Sequence, residues 1–168
     1  MGTPMPKRRR VMAVLAVVVG IAVCAPAAGA AAVAYATKSS PQVARGYGST
    51  GKTFGDWSAS KGTRTAVSKI SGARYKLNNA DDHKVYVHLK SIAAIGNLGP
   101  YQKTSKSKNG TRESQKWLAL KSQPVHTYSV TIKPVTVRVD AFVKTCLDIP
   151  SRPDVCSAGK SFYSYLNY

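Results

Sequence analysis

Apolar and polar residues alternate one by one along several stretches of the C-terminal two thirds of this chain. The clearest stretch runs from Pro134 to Lys144. Its two sets of positions are Val135, Val137, Val139, Ala141 and Val143 on one side and Thr136, Arg138, Asp140, Phe142 and Lys144 on the other. Because successive side chains of a strand point to opposite faces, this pattern predicts an antiparallel strand with one buried face.

The same period of two recurs in two shorter stretches, residues 84–90 and 125–132. The side chains that it places inward are Val85, Val87 and Leu89 in the first stretch and Tyr128, Val130 and Ile132 in the second. Lys133-Pro134 follows directly and predicts a bend or a hairpin into the next strand.

Weaker strand signals cover residues 66–76, 116–120 and 162–166. An amphipathic helix of ten residues is not evident anywhere in the sequence. We therefore predict an all-β domain over residues 63–168, either a small antiparallel β-sandwich or an open barrel of about five to seven strands.

Residues 37–62 differ from this domain in composition, because Gly, Ser, Thr and Lys dominate and apolar residues are scattered. Such a segment buries too little apolar surface to offset the entropy lost on ordering. We predict a flexible N-terminal arm. Its aromatic residues, Tyr47, Phe54 and Trp57, are candidate partner-binding residues, since an arm of this kind can fold into the groove of another protein.

Within this segment, residues 46–53 match the phosphate-loop pattern G-x-x-x-x-G-K-[ST]. A working phosphate loop follows a buried strand and opens a helix. Neither residues 41–45 nor residues 54–57 have the composition for these elements. We interpret the match as chance.

The first 36 residues have the order of a secretory signal peptide. A basic block, Lys7–Arg10, precedes an uncharged apolar run from Val11 to Cys24, and Ala34-Tyr35-Ala36 offers small residues for cleavage before Thr37. The sequence thus predicts a secreted, extracellular protein.

Three alternatives to cleavage after Ala36 remain open. The uncharged stretch from Val11 to Ala36 is long enough to span a bilayer as an anchor. Cys24 suggests a lipoprotein, although the preceding Ile21-Ala22-Val23 fits that processing site poorly. Cleavage within residues 27–32 is almost as plausible as cleavage after Ala36.

Removing residues 1–36 takes away four of the 25 basic residues and none of the seven acidic ones, which leaves a net charge of +14. Such a charge draws a protein to anionic surfaces. Of the three cysteines, Cys146 and Cys156 remain. An even pair in an oxidising compartment predicts a disulfide.

Two further segments are candidate binding sites. Residues 102–112 form the most basic stretch, and its candidate binding residues are Lys103, Lys106, Lys108 and Arg112. Asn109-Gly110 in it favours a tight turn with positive φ, so the stretch is either a solvated hairpin tip or a cationic finger for an acidic partner. The Tyr-rich end, residues 162–168, is either a packed terminal strand or a docking surface.

Catalytic residues are sparse. His83, His88 and His126 are the only histidines, and the first two differ in parity on an extended strand, so they do not share a metal. The sequence has no G-x-S-x-G elbow. Glu113 is the only glutamate. We predict a protein that is not an enzyme, with no cofactor, no metal, no small-molecule substrate and no specific nucleic acid.

The layout of a signal peptide, an arm at residues 37–62 and a β-domain closed by Cys146 and Cys156 resembles the small secreted adaptor subunits of bacterial umbrella toxin particles. The resemblance implies an adaptor in interbacterial competition. It would bind a lectin-like subunit through the arm and a large repeat-containing toxin subunit through the β-domain. The alternative is a cationic, bacteriocin-like effector that acts directly on anionic cell envelopes.

Overall fold

The computed structural model describes residues 31–78 and 82–168, and these residues form two antiparallel sheets packed face to face. The strands of the first sheet are β1 (Val33–Ala36), β2 (Gln42–Gly46), β3 (Ser49–Lys61), β4 (Thr65–Asn78), β7 (Ser114–Ala119) and β8 (Val125–Ser129). Those of the second sheet are β5 (Lys84–Ile95), β6 (Leu98–Lys106), β9 (Thr136–Asp148), β10 (Val155–Cys156) and β11 (Lys160–Asn167). The prediction of an all-β antiparallel sandwich is confirmed.

Each sheet is built around two long central strands. In the first sheet β3 pairs with β4, both β1 and β2 pair with β3, and both β7 and β8 pair with β4. In the second sheet β9 pairs with β5, β10 and β11, and β5 also pairs with β6. The eleven strands of the described residues exceed the predicted five to seven, mainly because the N-terminal segment adds three.

The alternating positions of the sequence face the core as predicted. Val85, Val87 and Leu89 of β5 are fully buried, as are Val137, Val139 and Val143 of β9. Ile132 is an exception. It lies beyond the end of β8 and is 45% exposed.

Lys133-Pro134 joins the two sheets and does not close a hairpin. The preceding strand β8 pairs with β4 in the first sheet, whereas the following strand β9 pairs with β5 in the second. The bend was predicted correctly, and the hairpin between neighbouring strands was wrong, because the chain crosses the core at this point.

The prediction of a flexible arm at residues 37–62 is wrong for most of its length. Residues 42–46 form β2, and residues 49–61 form β3, a central strand of the first sheet. The inner face of β3 is lined by small residues that lie directly against the second sheet. A Cβ added at Gly51 would come within 2.7 Å of Val85 and 2.9 Å of Leu147. Apolar side chains of the second sheet therefore cover β3. For this reason β3 is buried although it has few apolar residues of its own.

Strand β1 affects the predicted cleavage site. Tyr35 is fully buried, Ala36 is nearly so, and the Tyr35 hydroxyl donates a hydrogen bond to Thr53 Oγ1 at 3.3 Å. A cut after Ala36 would remove a strand that belongs to the folded core. Residues 1–30, which hold most of the predicted signal peptide, lie outside the described residues.

The stretch that matches the phosphate-loop pattern is the β2–β3 hairpin. Its two turn residues, Tyr47 and Gly48, both have positive φ, at 48° and 78°, and Gly46 pairs with Ser49 across them. This conformation is the one that two-residue hairpin turns favour. No helix follows, so the pattern does not have the geometry that holds phosphate groups.

The predicted disulfide is present. Cys146 near the end of β9 lies opposite Cys156 of β10, and the two sulfur atoms are bonded. The bond ties the loop at residues 147–155 to the edge of the second sheet.

Candidate functional site

The basic stretch at residues 102–112 is not a hairpin tip. Its first half belongs to β6, an edge strand that pairs with β5. Gly110 forms an antiparallel bridge with Val85, and a Cβ at Gly110 would come within 2.6 Å of the Tyr75 ring. A close approach to an aromatic ring, and not a tight turn, therefore requires glycine here.

The four basic candidates of this stretch do not form a common surface. Lys103 lies over the Tyr128 ring at 5.1 Å and donates a hydrogen bond to the Thr127 carbonyl. Lys106 faces the opposite side of β6 and forms an ion pair with Asp154 at 3.0 Å. Lys108 and Arg112 are exposed beyond the strand. The four residues therefore do not form one hairpin finger, and their binding of an acidic partner stays a prediction.

The ion pair of Lys106 belongs to a small polar cluster. The Tyr86 hydroxyl donates a hydrogen bond to Asp154 Oδ2 at 2.5 Å, and burial together with this bond raises the pKa of Tyr86 to about 12. Burial pushes the pKa of Asp154 upward, but the hydrogen bonds from Tyr86 and Lys106 lower it on balance. The cluster attaches the disulfide loop to the sheet.

The three aromatic residues of the supposed arm lie in three different surroundings. Trp57 is 2% exposed, stacks on Phe162 at 5.5 Å and donates a hydrogen bond to Ser68, so it is a core residue and is not accessible to a partner. Phe54 packs edge to face on Trp117 at 4.7 Å. Tyr47 is exposed at the β2–β3 turn beneath the guanidinium of Arg152.

The histidines are also dispersed, as the parity argument predicts for the first two. His83 is buried, and its Nδ1 lies 2.7 Å from Ser49 Oγ. His88 faces the outer side of β5, where its Nδ1 is buried with no hydrogen-bond partner. Burial first, and then Lys144 and Lys106, lower its pKa. A cluster of three or more His, Cys, Asp or Glu side chains suited to a metal ion is absent from the residues described.

His126 joins the two sheets at the β6 edge. Its Nδ1 lies 2.7 Å from Ser91 Oγ, its Nε2 lies 2.7 Å from Ser105 Oγ, and Ser91 Oγ lies 2.6 Å from the Tyr128 hydroxyl. Burial and the nearby Lys103 lower the pKa of His126, which favours the neutral form of the ring. A hydroxyl stands where a catalytic triad has a carboxylate. The arrangement is that of a polar link within the core.

A more accessible surface lies on the outer side of the second sheet, along β11. Tyr163 and Tyr165 are 57% and 53% exposed, and their rings are 5.9 Å apart. The register places Tyr163 opposite Asp140 and Tyr165 opposite Arg138 on β9. Both tyrosines therefore point away from the core, since the alternate residues Phe162 and Leu166 face it.

This surface continues across β9 onto β5. A shallow groove of about 480 Å³ follows the rings, and its lining residues are Lys90, Ile92, Arg138, Asp140, Ala141, Phe142, Ser161, Phe162 and Tyr163. Arg138 lies over the Tyr163 ring at 5.6 Å and pairs with Asp140 at 2.8 Å. We name the surface formed by Ile92, Arg138, Phe142, Tyr163 and Tyr165 the aromatic face.

The sequence pointed to only part of the aromatic face. The Tyr-rich end was recognised as a candidate docking surface, and β11 is in fact both a packed terminal strand and an exposed surface. Phe142 and Ile92 were missed as partners. The apolar Phe142 among the outward positions of the alternating stretch was the available signal, because a half-buried strand normally carries polar residues there.

Comparison with models of known protein families, with curated proteins and with solved structures found no match to this chain. In the part of the chain that the structure describes, no helix is long and apolar enough to cross a membrane. The class of protein is therefore defined by the fold and the surface alone: a disulfide-closed β-sandwich with an exposed aromatic face.

Proposed function

We propose that this chain is a non-enzymatic, secreted adaptor that binds a larger protein through the aromatic face. The observation that carries the proposal is the pair of half-exposed tyrosines on a sheet-edge strand, next to an arginine and a partly exposed phenylalanine. Tyrosine, arginine and phenylalanine are enriched at protein interfaces, and tyrosine and arginine supply many binding hot spots.

The position of β11 adds a second mode of contact. Its ladder is with β9, so it forms one edge of the second sheet. An edge strand has main-chain groups free to pair with an added strand. Residues 161–167 contain neither proline nor a charged side chain, the features that usually block such pairing. A partner strand paired with β11 would place its own side chains beside Tyr163 and Tyr165.

The resemblance to umbrella toxin adaptors would make the larger partner a repeat-containing toxin subunit and the second partner a lectin-like subunit. Because residues 42–61 form part of the sandwich, the proposal does not assign the lectin to an arm in that segment. Tyr47 remains an exposed aromatic residue at the hairpin tip, and it lines a pocket with His83, Ile149 and Arg152 at the end of the sandwich. This end is the candidate second surface.

The test is recovery of partners from the native culture supernatant. The secreted form of the protein, with biotin on its N-terminal amine, is immobilised, and the bound proteins are identified by mass spectrometry. We expect a large protein in stoichiometric amount with the wild type. The double variant Tyr163→Ser, Tyr165→Ser should reduce its recovery by about tenfold or more, in line with the loss of two hot-spot residues.

The matched control is Tyr101→Ser, because Tyr101 is 47% exposed on the opposite edge of the same sheet. We expect it to retain the partner. Failure of the wild type to recover any stoichiometric partner would refute the adaptor proposal. Equal losses in the two variants would place the contact elsewhere.

The alternative function is that of a cationic effector of anionic cell envelopes. The net charge of +14 that remains without residues 1–36 favours it. It predicts that the purified protein inhibits growth of target cells by itself, and that inhibition disappears at high salt because the charges are screened.

A further inference from the structure

The outer face of the first sheet, opposite to the aromatic face, contains a groove of about 270 Å³. Its lining residues are Arg45, Thr50, Lys52, Lys76, Asn78, Ser114 and Gln115. They come from β2, β3, β4 and β7. We name this site the cationic groove. Each described residue that lines it is basic or neutral.

The strand register concentrates positive charge in the cationic groove. Lys52 of β3 lies directly opposite Lys76 of β4, and Arg45 of β2 lies opposite Thr50, two residues before Lys52. Like charges at directly opposed positions destabilise a sheet. The ion pairs found among the described residues, Lys106–Asp154 and Arg138–Asp140, both lie on the other sheet or its disulfide loop. The groove thus has an unfavourable arrangement that an anion would relieve.

The neutral residues of the groove suit an anion that also carries hydroxyl groups. Asn78 and Gln115 offer amide donors and acceptors, and Thr50 and Ser114 offer hydroxyl groups. Three basic side chains with four short polar ones fit a repeating chain of phosphates and hydroxyls better than a single small anion.

The aromatic residues beside the groove argue against single-stranded nucleic acid. Lys76 Nζ lies over the Trp117 ring at 5.2 Å, and Phe54 packs edge to face on the same ring at 4.7 Å. Recognition of single strands relies on open ring faces on which bases stack. Because Lys76 covers the Trp117 ring, this surface does not present such a stacking platform.

We propose that the cationic groove binds a polyol phosphate polymer, a chain of phosphodiesters and hydroxylated carbons such as occurs in bacterial cell walls. Lys52, Lys76 and Arg45 bind successive phosphates, and the amides and hydroxyls of the groove bind the intervening hydroxyl groups. This site is separate from the aromatic face, so it stands or falls independently of the protein partner proposed above.

The two tryptophans of the chain give a direct readout. Trp57 is buried in the core, whereas Trp117 is partly exposed beside Lys76. Titration of the purified protein with poly(glycerol phosphate) at about 150 mM salt should change the Trp117 fluorescence, because a phosphate bound to Lys76 changes the charge beside the ring. Trp117→Phe should remove the signal.

The decisive variant is Lys52→Gln, Lys76→Gln, whose affinity is measured by isothermal titration calorimetry because Lys76 is itself part of the fluorescence signal. We expect it to weaken binding by about tenfold or more through loss of two phosphate contacts. The matched control is Lys69→Gln, Lys121→Gln, which removes the same charge from exposed positions outside the groove and should weaken binding less than about threefold, the effect of net charge alone. All variants are first checked for wild-type thermal unfolding.

Three results would overturn the proposal. The first is no binding by the wild type. The second is an equal loss of affinity in both double variants, which would indicate diffuse attraction. The third is tighter binding of single-stranded DNA with the same number of phosphates, which would indicate a nucleic-acid site.

Discussion

The two end segments of the sandwich, residues 33–61 and residues 160–168, both carry isolated aromatic residues among small polar ones, and the fold buries two from the first segment and exposes two from the second. In the first segment Tyr35 and Trp57 are buried in the core. In the second, Tyr163 and Tyr165 are more than half exposed. The residue types are alike, so composition does not explain the difference.

The side of the sheet on which each residue lies explains it, because Phe162 of β11 faces the core as Trp57 does, whereas Tyr163 and Tyr165 face outward. Strand β3 is central in its sheet, with β1 and β2 on one side and β4 on the other, and its inner face lies against β5 and β9. Strand β11 is at an edge, and the outer side of its sheet is uncovered. An aromatic residue contributes to stability where both layers surround it and is free for binding where only one does.

The largest effect on stability is expected from removal of β1. We expect a chain that begins at Thr37 to lose more than about 5 kcal/mol of unfolding free energy, because it lacks the buried Tyr35 and the strand that carries it. A chain that begins at Ala31 should unfold cooperatively. Thermal unfolding followed by circular dichroism distinguishes them.

The role of β1 also predicts where the signal peptide is cleaved. If the protein is secreted through its signal peptide, the N-terminal residue of the secreted form should lie upstream of Val33, through a cut within residues 27–32. Mass spectrometry of the intact secreted protein gives this residue. A secreted, folded form that starts at Thr37 would contradict the role of β1.

A matched pair of substitutions tests the two segments directly. Trp57→Ala should lower the unfolding free energy by about 3–5 kcal/mol, because it leaves a cavity beside Phe162. Tyr163→Ala should change it by less than about 0.5 kcal/mol, as expected for an exposed side chain. Urea denaturation of both variants measures the difference. Similar losses in both would mean that the exposed Tyr163 side chain contributes as much to stability as the buried Trp57.

The smallest expected effect on stability concerns the side-chain hydrogen bonds between the two sheets. In the first segment Thr53 Oγ1 lies 2.6 Å from Thr145 Oγ1, and neither group titrates near neutral pH. His126, which forms the link at the other end, has a lowered pKa in the folded protein. As the pH falls below about 6.5, His126 is therefore protonated more readily in the unfolded chain than in the folded protein. The free energy of unfolding decreases over that range.

We expect the wild-type unfolding free energy to fall between about pH 7 and pH 5, and this fall to be smaller in His126→Gln. Lys103, His88 and Tyr128 are the titratable groups near His126, and the lowered pKa of His88 leaves part of the fall in place. Thr145→Val should show the same decrease in unfolding free energy between about pH 7 and pH 5 as the wild type. An unchanged pH dependence in His126→Gln would mean that other groups cause it.

Which parts of the fold could be predicted depended on how strongly each strand shows its own pattern. Strands β5 and β9 alternate between branched apolar and polar residues, so their presence and buried faces could be predicted from the sequence, although β5 continues to Ile95 and β9 to Asp148, beyond the predicted stretches. Strand β3 has Ser49, Gly51 and Thr53 on its inner face, and no local signal distinguishes these from a solvated segment. The candidate sites also depended on local patterns. The tyrosines of β11 are close together in the sequence and indicated a candidate surface. The cationic groove joins Arg45, Lys52 and Lys76 from three strands, so no short stretch of sequence indicated it.

The sequence by itself determined the period-two strands, the all-β class and the Cys146–Cys156 disulfide, because side-chain alternation and cysteine pairing are properties of short stretches, whereas the choice of a sandwich over an open barrel came from the structure. Only the tertiary structure decided that residues 42–61 belong to the sandwich, that Lys106 pairs with Asp154, and that Lys52 lies opposite Lys76. These outcomes depend on which strands pair and which sheet covers them. Burial and charge at a surface arise from such long-range contacts, and no local pattern in the sequence specifies them.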